Sequence, residues 1–315
     1  MTSGGAPSGP PVAAYDCGTN STRLLVVDGA GLTLDRQMHI TRLGEGVDRT
    51  GVLSAPAIGR TLSVLEDYKA RADELGVQRA RLVATSAARD AANAEEFFTA
   101  VTEVTGLRPE LLSGEEEGRL SFVGATACLP AGFALDQRVL VVDIGGGSTE
   151  LVAGEPSAPA EATGVSLDIG CVRVSERFLV HDPPSAGELE DASQAVHHAL
   201  ERAGRRLPGL EPTAPVIGLA GTVSTLASLE LSLAEYDRQR IHHLTLSRGQ
   251  VDRWLDVLSS EDSHSRLGRP GMVAGRQDVI VAGVLILSCV MAVFDRSRCL
   301  VSENDILDGL VQSLR

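Results

Sequence analysis

The strongest constraint on this chain is a glycine-rich acidic loop that occurs twice. The first copy is Asp16-Cys17-Gly18-Thr19-Asn20-Ser21-Thr22, and the second is Asp143-Ile144-Gly145-Gly146-Gly147-Ser148-Thr149-Glu150. At a single offset Asp16 meets Asp143, Gly18 meets Gly145, Ser21 meets Ser148 and Thr22 meets Thr149. Apolar runs flank both copies: Val12 to Tyr15 and Leu24 to Val27 around the first, Val139 to Val142 and Leu151 to Ala153 around the second. Each copy therefore reads as strand, tight turn, strand. Two such hairpins predict two related lobes facing each other across a cleft.

A turn dense in glycine lets successive backbone N–H groups point into one concavity, because glycine adopts positive φ without steric cost. Such a nest binds anions, phosphate above all. The loops Gly18, Thr19, Asn20, Ser21 and Gly145, Gly146, Gly147, Ser148 are accordingly candidate phosphate cradles, with hydroxyls as further donors. The leading Asp ends a buried strand, where a carboxylate is costly unless it is paired or on a metal. Asp143 and Glu150 flank the second nest with two hard oxygen ligands, which suits Mg²⁺, with Mn²⁺ as an alternative. The copies are unequal: where the second has Glu150 the first has Arg23, a candidate phosphate contact, so the first is expected to cradle phosphate without holding the metal. An ordinary hairpin turn explains either copy alone, but not their alignment. Two better-known phosphate motifs do not fit. There is no GxxxxGK[ST] loop, and the dinucleotide signature needs a helix after its glycines, whereas Leu151-Val152-Ala153-Gly154 is short, apolar and strand-like.

The 315 residues suffice for two domains, and with 3% aromatics the core must rest on aliphatic and alanine packing. The 28 basic against 42 acidic residues give a net charge of −14, which argues against nucleic-acid binding and against an anionic membrane surface. A polyanionic substrate must then be held by a local arginine cluster and a metal, against the overall field. Lys69 is the only lysine, a skew that reflects composition across the chain. Five cysteines (17, 128, 171, 289 and 299) show no CxxC spacing and read as buried thiols of a reducing compartment. The His197-His198 and His242-His243 pairs lack zinc-site spacing and read as surface residues. Residues 1–11 are small, Gly/Pro-rich and uncharged; they read as a disordered leader, not a signal peptide. The uncharged apolar stretch 279–294 is shorter than the roughly 20 residues of a membrane helix and reads as a buried core helix.

Pattern and punctuation predict strands over 12–27, 32–43, 80–85 and near 110–112, with helices over 55–75, 95–105 and 115–128. After a connector at 131–137 the second half restarts with 139–142 and strands to about 169. Helices follow over 172–178 and 186–207, then a strand at 216–220 and helices over 222–233, 248–258, 279–294 and 306–314. Strands and helices alternate in each half, so the class is α/β with two lobes, the first over 12–134 and the second over 135–302.

Three further stretches carry chemistry. Ser113-Gly114-Glu115-Glu116-Glu117-Gly118-Arg119-Leu120 opens a helix, with Ser113 and Glu116 spaced as a capping box. Acids in a first helical turn offset the positive dipole end; the alternative is that one of them faces the cleft as a general base. In Gly218-Leu219-Ala220-Gly221-Thr222 a strand runs into Gly221 and a helix opens at Thr222, so free N–H groups there can face phosphate. Arg89, just after the strand at 80–85, is either a phosphate contact across the cleft or a solvated surface arginine.

Taken together these residues resemble the exopolyphosphatase/guanosine pentaphosphate phosphohydrolase (Ppx/GppA) family. The stretches that carry the resemblance are DCGTNSTRL (16–24), TSAARDAAN (85–93), SGEEEGRLSFVGA (113–125), DIGGGSTELV (143–152) and GLAGTVSTLA (218–227). GCVRVSERF (170–178), GRQDVIVAG (275–283) and the ending SENDILDGL (302–310) are similar too, the last to a short actinobacterial-type branch. The resemblance implies two ribonuclease-H-like lobes of the sugar-kinase/actin-like ATPase superfamily, with the active site between them and helix 303–315 packing back on the first lobe. It implies Mg²⁺-dependent hydrolysis of the terminal phosphoanhydride of inorganic polyphosphate, or of pppGpp as the alternative, by a cytoplasmic homodimer. The family's base falls on Glu117, its metal-linked acids on Asp143 and Glu150, and its phosphate contacts on both loops and Arg89. Thr19 stands where serine is commoner, Asp305-Ile306-Leu307-Asp308 replaces the usual Gly-Leu-Arg-Glu, and the chain ends at 315 without the extra C-terminal domains of long members. The last departure weighs against processive action on long chains. A sugar or acid kinase of the same fold needs a catalytic Asp in place of the triple-Glu site. A non-catalytic regulator has no need of Glu117, Asp143 and Glu150 together.

Overall fold

The strand–turn–strand reading of the glycine loops holds in both copies. In the computed structural model, which describes residues 9–207, 209–211 and 213–315, β1 (Val12–Cys17) pairs antiparallel with β2 (Ser21–Val27) around the first loop. Most of the leader expected over 1–11 lies outside the described residues. β3 (Thr33–Ile40) extends the hairpin, and α1 (Val47–Thr50) and α2 (Ala55–Glu74) follow. The Ser54 hydroxyl caps α2 by accepting from the Ala57 N–H. β4 (Arg79–Ala84) runs parallel to β1; α3 (Ser86–Asp90), α4 (Ala94–Thr105) and the short β5 (Glu110–Leu111), parallel to β4, complete a five-stranded sheet of order β3-β2-β1-β4-β5. Strand side chains alternate between faces. Ala13, Tyr15 and Cys17 join Leu24 and Val26 in a core with Leu65 and Tyr68 of α2 and Phe97 and Val101 of α4. Asp16 and Arg23, at the intervening positions, take the opposite face.

The second hairpin repeats this plan. After α5 (Gly114–Thr126), β6 (Val139–Ile144) and β7 (Thr149–Gly154) pair antiparallel around the second loop, and β8 (Thr163–Leu167) extends them. Next come α6 (Cys171–Phe178), α7 (Ala186–Gly204), β9 (Val216–Leu219), α8 (Ala220–Glu230) and α9 (Arg238–Ile241). β10 (Thr245–Ser247), α10 (Arg248–Ser259), α11 (Ser263–Leu267), α12 (Ile280–Val293), β11 (Arg298–Val301) and α13 (Ile306–Ser313) end the chain. The sheet order is β10-β11-β9-β6-β7-β8. Read from β8, the order third, second, first, fourth is that of the first sheet; the last strand, β11, parallel to β9, takes the place of β5, and β10 is added at the far edge. Both units thus carry the ribonuclease-H-like arrangement of an antiparallel hairpin beside parallel strands.

Alternation also sorts the two faces of the second sheet. Leu140, Val142, Ile144, Leu151 and Val165 enter the main core with residues of α7, α8 and α12. Val139, Val141 and Val152 enter a smaller core with Phe122 and Ala125 of α5. Asp143 and Glu150 continue the second set, so period two places both carboxylates on the face that α5 covers. The apolar stretch expected as a core helix is α12, buried along nearly its whole length from Ile280 to Met291.

The chain divides into one unit up to Ser113 plus Leu307–Arg315, and another over Gly114–Ile306. The boundary expected at 134/135 thus falls some twenty residues earlier. The reason is that α5 packs on β6, β7 and β8, so it belongs with the sheet that follows it. The return to the first unit comes at 306/307, where Asp308 pairs with Arg36 of β3 at 2.5 Å and Ser313 Oγ accepts from Arg81 of β4 at 2.7 Å.

Other readings need correction. β10 and β11 were not anticipated, because three- and four-residue strands are too short to show a period. Helix α8 starts at Ala220, not Thr222. Four cysteines are buried, but Cys128 is exposed just beyond the end of α5. His242 and His243 are half buried, with rings stacked 3.7 Å apart. His243 Nε2 donates to the Cys128 carbonyl at 2.9 Å, and His242 Nδ1 accepts from the Glu303 N–H.

Candidate active site

The two glycine loops are held by the same device. Gly18 N–H donates to the Ser21 carbonyl at 3.0 Å, and Gly145 N–H donates to the Ser148 carbonyl at 3.0 Å. In both, loop carbonyls are also taken from outside. The Thr19 carbonyl accepts from Gly44 N–H, and the Asn20 carbonyl from the N–H groups of Thr41 and Arg42. In the second loop the Gly145 and Gly146 carbonyls accept from the first amides of α6, those of Cys171, Val172 and Arg173, and the Gly147 carbonyl accepts from the buried Arg173 Nε at 2.8 Å. Turning the carbonyls toward one side turns the intervening N–H groups toward the other. Those of Gly146, Gly147 and Ser148 have no backbone acceptor among the described residues. Such a row of outward N–H groups suits an anion, but the positive φ expected of the loop glycines is not used: Gly18, Gly145, Gly146 and Gly147 all lie outside the left-handed region, and the turn is set by its hydrogen bonds instead.

Gly170 makes the docking of α6 on this loop possible. A Cβ there would lie 2.2 Å from the Gly146 carbonyl oxygen and 2.5 Å from the Gly147 nitrogen, both backbone atoms that cannot rotate away. Gly170→Ala is therefore expected to push the nest out of shape. It should cost about 1–3 kcal/mol of stability, as overpacking does, and weaken phosphate binding. Urea unfolding and the KM for substrate check it; unchanged values in both would show that the loop is not held this way.

Asp143 and Glu150 are opposite one another in the β6–β7 register, and Ser166 is opposite Glu150 in the β7–β8 register. Directly opposed residues of antiparallel strands have Cβ atoms about 4.5–5.5 Å apart. The row Asp143–Glu150–Ser166 thus crosses three strands beneath α5. The helix lies close because its facing residues are small. A Cβ at Gly114 would fall 2.3 Å from Ser166 Cβ, and one at Gly118 would fall 2.9 Å from a Val152 methyl and 3.4 Å from Glu150 Cβ. One turn further on, Ser121 Oγ donates to Asp143 Oδ2 at 2.6 Å; at the other end Ser166 Oγ donates to Glu150 Oε1 at 2.7 Å. Glu117 stands on the same helix four residues before Ser121, hence on neighbouring positions of one face. It is half buried, whereas Glu115 and Glu116 are exposed.

The equivalent pair in the first unit is built differently. Asp16, also buried, faces Arg23, whose Nε and Nη2 donate to Asp16 Oδ2 at 2.8 and 2.5 Å. A carboxylate–guanidinium pair there corresponds to two adjacent carboxylates in the second unit, only 6% and 1% exposed. Taking two like charges out of water side by side is costly without a counter-charge. Two hard oxygen donors so placed would suit a divalent cation. Among the described residues no three His, Cys, Asp or Glu side chains gather into a metal site. A cation here would draw its other ligands from water and phosphate, as Mg²⁺ does.

The third glycine motif lies beside the second nest. Ala220, the first residue of α8, has φ 68°, a left-handed conformation that costs a non-glycine residue of order 1–3 kcal/mol and tends to persist at functional sites. At Gly221 the Arg276 guanidinium fills the space of a side chain, its Nη1 1.0 Å from where a Cβ would be. Thr222 packs on Gly283 of α12 and hydrogen-bonds the Cys171 thiol, whose N–H in turn holds the Gly145 carbonyl. Burial pushes that thiol up to about 11, against the pull of Arg276 and Thr222, so Cys171 stays a neutral packing residue. Within the second unit, then, Gly145–Ser148, Gly221, Thr222 and Arg276 form one neighbourhood, and Asp143, Glu150, Ser121 and Ser166 form another on the same strands. In the first unit Arg89, in the last turn of α3, donates to the Leu112 carbonyl at 2.9 Å, just before the unit boundary.

Sequence reasoning did not single out Ser121, Ser166, Arg173 or Arg276. Ser121 had a visible cue: Gly114, Gly118 and Ser121 repeat at helical spacing as small residues on one face. Arg173 and Arg276 lay within stretches already noted, without a stated role. Ser166 has no local signal, since its place depends on the β7–β8 register.

Comparison with known proteins agrees with this construction. The Ppx/GppA phosphatase family profile matches residues 25–314. Exopolyphosphatase 2 of Mycobacterium tuberculosis is 41% identical, over 96% of this chain and 98% of its own. The crystal structure of an exopolyphosphatase-like protein superposes with a TM-score of 0.91 at 33% identity, covering 96% of this chain and 98% of that one. The Aquifex aeolicus Ppx/GppA family member gives a TM-score of 0.79 at 33% identity, covering 97% of each chain. With a match running from within β2 into α13, through the second hairpin, α5 and the α8 glycines, this chain belongs to the Ppx/GppA phosphatase family.

Proposed function

We propose that this protein is a Mg²⁺-dependent exopolyphosphatase that removes the terminal phosphate of short inorganic polyphosphate as orthophosphate. The observation that carries the reading is the buried pair Asp143–Glu150 beneath α5, the helix that bears Glu117. The likeness to a relative called Exopolyphosphatase 2 supports the choice of substrate.

In this reading Glu117 orients a water molecule and takes its proton as the water oxygen attacks the terminal phosphorus. The bridging P–O bond breaks in line, and the shortened chain leaves with that oxygen. The outward N–H groups of Gly146, Gly147 and Ser148 hold phosphate oxygens, and we assign the same chemistry to Gly18–Ser21 in the first unit. Asp143 and Glu150 would hold Mg²⁺, which supplies positive charge against the phosphate oxygens. Phosphoryl transfer needs mainly positioning and charge stabilisation, and these residues provide both. A cytoplasmic setting and a homodimer belong to the proposal as well. All five cysteines are free, in keeping with a reducing compartment; the dimer rests on the family resemblance.

The test is phosphate release from short polyphosphate, long polyphosphate, pppGpp and ATP under one set of conditions, with Glu117→Gln as the control. Short polyphosphate is expected to give the highest kcat/KM. A clear preference for pppGpp would replace this reading with the nucleotide one, which the net charge of −14 would then suit better than a long polyanion.

A further inference from the structure

The two carboxylates of the row are each gripped by a serine, and the grips are alike. Ser121 Oγ, on the helix above, donates to Asp143 Oδ2 at 2.6 Å; Ser166 Oγ, on the strand beside, donates to Glu150 Oε1 at 2.7 Å. Ser121 is fully buried, and both carboxylates are nearly so. In such surroundings a hydroxyl bonded to a charged oxygen is strong and hard to replace by water. The close approach of α5 enforces both contacts. Gly118 lets the helix settle on Val152 and Glu150, which brings Ser121 over Asp143, and Gly114 sits directly against Ser166.

A carboxylate whose one oxygen already accepts a short hydrogen bond is a poor bidentate ligand. Part of that oxygen's charge is neutralised, and the carboxyl plane is fixed by the donor. This matters because divalent cations differ in what they ask of carboxylates. Ca²⁺ takes six to eight oxygens and commonly binds carboxylates through both; Mg²⁺ keeps octahedral geometry, takes single oxygens and retains waters. Resting on the metal assignment above, we propose that Ser121 and Ser166 are positioning residues that set cation selectivity. By holding one oxygen of each carboxylate they keep Asp143 and Glu150 monodentate, and the site favours Mg²⁺ over Ca²⁺.

The experiment uses the full chain carrying Glu117→Gln, so that turnover does not interfere. Mg²⁺ and Ca²⁺ affinities are measured by calorimetry and by the shift in Tm on adding each ion. Ser121→Ala, Ser166→Ala and the double variant are compared in that background, with circular dichroism to confirm folding. Partners that orient metal ligands are worth roughly 10–100-fold in metal affinity. The double variant should raise the Ca²⁺ to Mg²⁺ affinity ratio by about that factor, and each single change by part of it. If both affinities fall together and the ratio stays put, the serines only support the fold and the proposal is overturned. Asp143→Asn in the same background separates the two levels. Undiminished Mg²⁺ binding there removes the metal assignment and this inference with it. Lost Mg²⁺ binding, with an unchanged ratio in the serine variants, removes this inference alone.

Discussion

Glu117→Gln is expected to lower kcat by roughly 10²–10⁴ while leaving the fold intact, the range a positioned general base contributes. That loss corresponds to about 2.7–5.5 kcal/mol of barrier. The effect on stability should be far smaller. Gln matches Glu in helix propensity, and one acid removed from a first helical turn costs about 0.3–1 kcal/mol of dipole interaction. The separation of these magnitudes is what makes the experiment decisive. Glu115→Gln and Glu116→Gln provide the internal comparison, because they stand beside Glu117 in sequence but are exposed, and Glu117 alone of the three is half buried. Both should keep near-wild-type turnover and show the same small loss of stability. Steady-state phosphate release and urea unfolding on the three variants give the answer. Near-wild-type kcat for Glu117→Gln removes it from the role of base, and an equal fall in all three would mean that charge at the start of α5, not one carboxylate, is what matters.

The part of this site that sequence could reach is the part encoded locally. The aligned loops announced two hairpins, and the turn hydrogen bonds of Gly18 and Gly145 reproduce that equivalence atom for atom. Alternation along Val139–Ile144 and Thr149–Gly154 placed Asp143 and Glu150 on a common face once the strands were paired. What local pattern cannot carry is the identity of the neighbour across a sheet or beneath a helix. Ser166 reaches Glu150 only through the β7–β8 register, Arg173 reaches Gly147 only because α6 docks end-on to the loop, and Arg276 fills the space at Gly221 from 55 positions further along the chain. The domain boundary failed for the same reason. The restart of the strand pattern at 139 looks like the start of a unit, but α5 belongs to the sheet that follows because its small face closes over Glu150 and Ser166.

Asp143→Asn is the second large effect, and it tests the reason why two acids stand together. Asn is nearly isosteric, and its side-chain oxygen can still accept from Ser121 Oγ, so the packing beneath α5 should survive. Without a cation, the variant should be as stable as the wild type or more so, because one of two adjacent buried carboxylates has lost its charge and the repulsion with Glu150 is relieved. With a cation the order reverses. A ligand that binds only the folded state stabilises it by RT ln(1 + [L]/Kd), about 2.7 kcal/mol at a hundredfold excess over Kd. The wild type should therefore gain Tm steadily as Mg²⁺ is added, while Asp143→Asn gains nothing, and the two curves should cross. Turnover should fall by at least about 10²–10³, the scale of losing one preorganised electrostatic contact in a phosphoryl-transfer site. Thermal unfolding against Mg²⁺ concentration, run beside phosphate release, reads both quantities on the same protein. A variant whose Tm still climbs with Mg²⁺ as the wild type does would move the cation off Asp143. A variant less stable than wild type without the cation would mean that the Asp143 charge itself supports the fold, and the argument from adjacent like charges would fall.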